Sequence, residues 1–201
     1  MDVAKLALSE EELRLVMDPG IILTKNAIIS KVYHLFGDLQ EQMRKDLSLP
    51  AEVAVIAPKI SKGESYQSLP YVMLDYPRYF TAEHVLAVRT FFWWGNFFSV
   101  NLHLKGKYRD LYQGALIGHF EFLASRNYAI AVGEDEWQHH TGSGDYKPIN
   151  SMGADEFAGI IGLHPFVKIS RSFGLDQWHN MPMLLCGAQQ ELSMAIGLMP
   201  S

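Results

Sequence analysis

Apolar residues recur at alternating intervals of three and four through Ile29, Val32, Phe36, Leu39 and Met43. That spacing lines one face of a helix, and Lys31, Asp38, Gln42 and Lys45 fall on the other. The stripe is too short for a coiled coil and predicts burial against a sheet. Upstream, Ser9 and Glu12 have the spacing of a capping box, and Leu13, Val16 and Met17 follow at helical intervals. A short first helix should therefore end at Asp18-Pro19-Gly20.

Strict alternation is strongest where two runs meet at Gly95-Asn96, which suits a two-residue type II′ turn. In that register Trp94 opposes Phe97 and Thr90 opposes Asn101. One face of the hairpin then carries Arg89, Phe91, Trp93, Phe98, Val100, Leu102 and Leu104. The other carries Thr90, Phe92, Trp94, Phe97, Ser99, Asn101 and His103. Further strands are expected at Val53 to Ile56, Tyr71 to Tyr76, Tyr128 to Val132 and Phe166 to Phe173. Further helices are expected from Thr81 to Ala87, Tyr108 to Leu123, Ser151 to Ile161 and from Pro182 onward. Thr141 to Asp145, with two glycines in four residues, reads as an exposed loop. This order fits an α+β fold with a largely antiparallel sheet centred on the 88–104 hairpin and helices packed on at least one face.

Length and composition narrow the picture. At 201 residues, with 48% hydrophobic and 19% charged residues, the chain is expected to fold as a single α+β domain spanning 1–201. Seventeen Lys and Arg against 22 Asp and Glu give a net charge of -5 without a dense basic cluster, which argues against nucleic acid as a partner. One cysteine, Cys186, cannot form an intramolecular disulfide. The first residues lack the basic start and apolar run of a secretory signal, and no apolar run reaches the roughly 18 residues of a membrane helix. A soluble, cytoplasmic protein with no membrane partner is the expectation.

Candidate chemistry rests on the mixed hairpin face. Aromatic walls with a few convergent polar groups suit a small-molecule pocket, so Thr90, Phe92, Trp94, Ser99, Asn101 and His103 are candidate ligand-binding residues. Asp75, on the preceding strand, is added because a carboxylate there could orient the imidazole of His103. For a metal, His139 and His140 are the visible pair, with Glu134, Asp135, Glu136 and Asp145 nearby, although no HExxH, HxH or CxxC spacing accompanies them. GxSxG, P-loop and GxGxxG motifs are absent, which lowers the case for the enzyme classes built on them, and no particular cofactor is implied. The expected function is binding of a small, partly apolar molecule on the mixed face. The alternatives are a metal-assisted hydrolase using some of His103, His119, His139 and His140, and a homodimer formed through exposed aromatics of the hairpin or of the Trp137 and Trp178 segments.

Overall fold

The computed structural model describes residues 6–139 and 144–199. The capping box forms as its spacing predicts: Ser9 N–H donates to the Glu12 carboxylate at 2.7 Å and the Ser9 hydroxyl accepts from Glu12 N at 3.2 Å, opening α1 (Glu10–Met17). Asp18 then caps α2 (Pro19–Asp46) by accepting from Gly20 N at 2.8 Å. Pro19 occupies the first turn, where its missing N–H costs nothing, so it starts a long helix as well as ending a short one. Val32, Phe36, Leu39 and Met43 of α2 are buried, as the stripe requires. The strand expected at Val53 to Ile56 is instead the single turn α3 (Ala51–Ala54), which turns Val53 alone into the core.

Seven antiparallel strands form one sheet: β1 (Lys59–Tyr66), β2 (Leu69–Phe80), β3 (Val85–Trp93), β4 (Phe97–Lys105), β5 (Ala129–Ala131), β6 (Tyr146–Pro148) and β7 (Phe166–Gly174). Their spatial order is β1-β2-β3-β4-β7-β5-β6. β2 runs through Pro77 because the ladder shifts register between Asp75 and Arg78, a bulge that accommodates a residue with no N–H to give. Thr81 caps no helix; its hydroxyl accepts from His84 N at 2.8 Å and closes the turn between β2 and β3. α4 (Lys107–Gly118), α5 (Phe120–Ser125), α6 (Ala154–Leu163) and α7 (Met181–Ala195) join α2 in a continuous core against one face of the sheet. The α+β class and the antiparallel sheet around the central hairpin are thus as the pattern predicted.

The hairpin register differs by one residue. Trp93 pairs with Phe97, Phe92 with Phe98, Thr90 with Val100 and Arg89 with Asn101. The loop has three residues, Trp94-Gly95-Asn96, with Gly95 in the left-handed region at φ 73°. A slip of one residue moves one strand's side chains to the other face relative to its partner. Thr90 and Phe92 therefore lie on the helix-covered face with Phe98 and Val100, where Gln189 of α7 donates to the Thr90 hydroxyl at 2.6 Å. Ser99, Asn101 and His103 lie on the opposite face with Ala87, Arg89, Phe91 and Trp93. Trp94 is in the loop and packs against the core. A Cβ at Gly95 would meet no atom within 4 Å, so Gly95→Ala isolates the backbone cost of the positive φ. It is expected to lower stability by about 1–2 kcal/mol in urea titration, with the register unchanged.

Candidate functional site

A row of polar side chains crosses the face that the helices leave uncovered. Cross-strand pairing aligns Lys59, Asp75, Arg89, Asn101 and Ser170 on five strand segments of β1, β2, β3, β4 and β7. In the next row Ala87, His103 and Lys168 are neighbours. Asp75, Asn101, His103, Lys168 and Ser170 are all buried, and the segment Glu136 to His139 folds over His103 and Lys168. Tyr66 and Tyr146 fix that segment from either side: His139 N–H donates to the Tyr66 hydroxyl at 3.0 Å, and the Tyr146 hydroxyl donates to Gln138 O at 3.0 Å.

Arg89 organises the centre. It grips Asp75 through two parallel bonds, Nε to Oδ1 at 2.7 Å and Nη2 to Oδ2 at 3.0 Å, and reaches His139 Nε2 with Nη1 at 3.1 Å. A guanidinium only donates, so Nε2 of His139 accepts and the proton of the neutral ring sits on Nδ1. Lys168 Nζ lies 3.3 Å from that Nδ1 and also bonds Glu136 O at 3.0 Å and Gln138 O at 2.5 Å. A neutral amine matches these three neighbours, giving two hydrogens to the carbonyls and accepting one from the imidazole. An ammonium would set N–H against N–H. Burial, reinforced by the Arg89 charge, pushes the Lys168 amine down to about 7 against the pull of Asp135, Glu136 and Asp75.

His103 Nε2 lies 3.1 Å from Glu136 Oε2, and Lys105 Nζ lies 2.7 Å from Oε1 of the same carboxylate. Glu136 alone would favour an imidazolium. Burial outweighs it, together with Lys168, which is protonated at the acid pH where the ring would titrate, and the Arg89 and Lys105 charges, so the ring is pushed down to about 3. His103 is therefore a neutral donor to Glu136. The carboxylate that orients it comes from the covering segment, whereas Asp75 is committed to Arg89.

Comparison with protein-family models, curated proteins and solved structures finds no match. Function must therefore be read from the geometry of this face.

The face is closed around Asn101 and His103, where a cavity of about 10 Å³ bordered by Arg89, His139 and Lys168 has room for no more than a water molecule. It opens in two places. One is a cleft of about 410 Å³ at the β5, β6 and β7 end, lined by neutral groups including Tyr146, Ser170 and Ser172. The other, about 250 Å³, is lined by Lys59, Ser61, Met73, Asp75, Arg78, Phe80, Arg89 and Trp137. Of the residues singled out in the sequence, Asp75, Ser99, Asn101, His103 and His139 share this face, and Thr90, Phe92 and Trp94 do not join them. His140 lies outside the described residues. Among the described residues no three His, Cys, Asp or Glu side chains converge as a metal-ligand set. His119 sits at the junction of α4 and α5, with Nδ1 2.8 Å from Ala115 O.

Sequence reasoning placed Arg89 on the apolar hairpin face, weighed Glu136 beside a metal pair and Trp137 at a dimer interface, and missed Lys59, Arg78 and Lys168. One signal for Lys168 was available: a charge set between Val167 and Ile169, in the apolar first half of the strand, has to be paired or neutral.

Proposed function

We propose that the protein binds a small anion bearing a planar apolar group, such as an aryl carboxylate, in the cleft between β1, β2 and Trp137. The observation that carries this reading is the convergence of Lys59, Arg78 and Arg89 on a 250 Å³ recess, in a chain whose net charge is -5. Among the described residues Asp75 is the single carboxylate in the lining and is already matched by Arg89, so Lys59 and Arg78 leave the recess positive. Phe80, Met73 and the half-exposed Trp137 supply apolar walls, and the Arg89 guanidinium stacks 5.6 Å over the Phe80 ring. The volume falls just below the roughly 300–1,000 Å³ typical of drug-sized ligands, which favours a compact one. Of the ligand-binding residues expected from the sequence, Asp75 alone lines this cleft.

Titration with 1-naphthoate, followed by tryptophan emission and calorimetry, tests it. Saturable binding that weakens with added salt is expected, and the Lys59→Ala/Arg78→Ala double variant should weaken it about tenfold or more. Equal binding of the uncharged 1-naphthalenemethanol, an unaffected double variant, or no saturable signal would each reject the reading. Among the described residues no helix is long and apolar enough to cross a membrane.

A further inference from the structure

The largest unexplained surface lies in the N-terminal helices, away from the cleft. No residue of α1 is buried, and the inward residues of α2 begin only at Val32. Nine large apolar side chains between Leu6 and Leu23 are exposed, among them Val16 at 70%, Met17 at 72% and Leu23 at 66%. So many exposed apolar side chains in one arm are uncommon on a monomer. The first 13 residues of α2 span roughly 20 Å of it. Lys25 bonds Glu64 of β1 at 2.6 Å, which fixes the direction of the arm.

A groove of about 460 Å³ opens on the same helix at the base of the arm, lined by Leu35, Leu39, Trp178, Pro182 and Cys186, with Lys31 at its rim. Ile21, Ile28 and Leu35 stand seven residues apart, so one apolar line runs from the arm into the groove. The charges along it select an orientation. Glu10, Glu11 and Glu12 open the arm. A parallel neighbour would set three glutamates against three glutamates. A parallel pair would also set arm against arm and groove against groove, whereas an antiparallel copy lays each exposed arm on the groove of the other. With Glu10, Glu11, Glu12 and Asp18 against Arg14, Lys25 and Lys31, the arm also lacks the basic excess that draws a helix to an anionic bilayer.

We propose that the arm from Leu6 to Lys31 is half of a reciprocal homodimer interface, in which each arm lies antiparallel along α2 of a second copy. Ile21 of each copy seats against Leu35 in the groove of the other, about a two-fold axis near Ile28. The exposed arm side chains amount to roughly 500 Å² of apolar surface per copy. Burying both arms on both grooves reaches the range of about 1,200–2,000 Å² found in stable interfaces.

Cys186, the one cysteine of the chain, lies in the groove and makes the test direct. Within one chain, residue 21 is about 21 Å along α2 from Leu35, far beyond the roughly 7 Å Cα separation a disulfide can span. Under mild oxidation Ile21→Cys should therefore give a covalent dimer, and peptide mapping should join the introduced thiol to Cys186 of the other chain. Sedimentation of the unaltered protein over a wide concentration range should show a dimer. The Met17→Glu/Ile21→Glu variant, altered only at exposed positions, should be monomeric with an unchanged circular dichroism spectrum. A monomeric unaltered protein, a dimer that survives both glutamates, or a cross-link joining the two introduced thiols to each other would overturn the proposal. So would a dimer that gives no link to Cys186, or a monomer that floats with phosphatidylcholine–phosphatidylglycerol vesicles.

Discussion

Stability to unfolding is expected to rise between pH 7 and about 10, above the pH 5–8 range where maximal stability usually falls. Lys168 is the cause. Its amine is held at about 7 in the fold against an ordinary 10.5, so in that window unfolding takes up a proton. Raising the pH removes that advantage of the unfolded chain, at up to about 1.4 kcal/mol per pH unit. The burial penalty is felt in full below pH 7 and has vanished above 10.5. Above 10 the trend reverses, because burial pushes the Tyr128 and Tyr146 hydroxyls up and the fold keeps protons that the unfolded chain releases. On the acid side His103 acts alike: its ring resists protonation down to about 3, whereas an unfolded histidine charges near 6.5, so stability falls through that interval. Urea titrations across this range check the profile. Lys168→Met should flatten the limb between 7 and 10 while leaving the acid limb in place. A flat profile in the unaltered protein would mean that Lys168 is charged in the fold and that its three hydrogen-bond neighbours are arranged otherwise.

Arg89→Met should be the most damaging single change on the sheet face, at about 3–5 kcal/mol. Asp75 is 6% exposed, and its two carboxylate oxygens take their bonds from Arg89, so the variant strands a buried charge. His139 would lose its donor to Nε2 in the same step, which loosens the covering segment. The Asp75→Leu/Arg89→Met double variant removes both charges and should recover much of the loss. Guanidinium unfolding of the two single variants, the double variant and the unaltered protein measures the coupling. Additive losses would show that the pair is not the interaction holding this face together.

Several features were legible because each depends on short spacings. The capping box at Ser9, the inward stripe of α2 and the strand from Phe166 follow from local pattern and appear where pattern places them. The hairpin register did not, because a glycine with positive φ serves both a two-residue and a three-residue loop. Choosing between them requires knowing which strand residues the helices cover. That one-residue difference separated Thr90 and Phe92 from Ser99, Asn101 and His103 and brought Arg89 into their company. Lys168 was hidden for another reason. Its neutrality depends on the carbonyls of Glu136 and Gln138, some 30 residues earlier in a stretch whose acidic composition reads as a solvated turn. Only the sheet order, which puts β7 between β4 and β5, brings that stretch over the lysine.

The two ends of the sheet share a property that bears on how this protein meets others. The β1 end carries Lys59 and Lys62 and loses its regular pairing between Gly63 and Tyr66. The β6 end is three residues long and finishes in Pro148, which has no N–H to offer. Lysines, an irregular ladder, a very short strand and a proline are features that keep exposed sheet edges from templating aggregation. An extended peptide therefore finds no straight ladder to join at either margin, and fibril growth by strand addition is disfavoured from both sides.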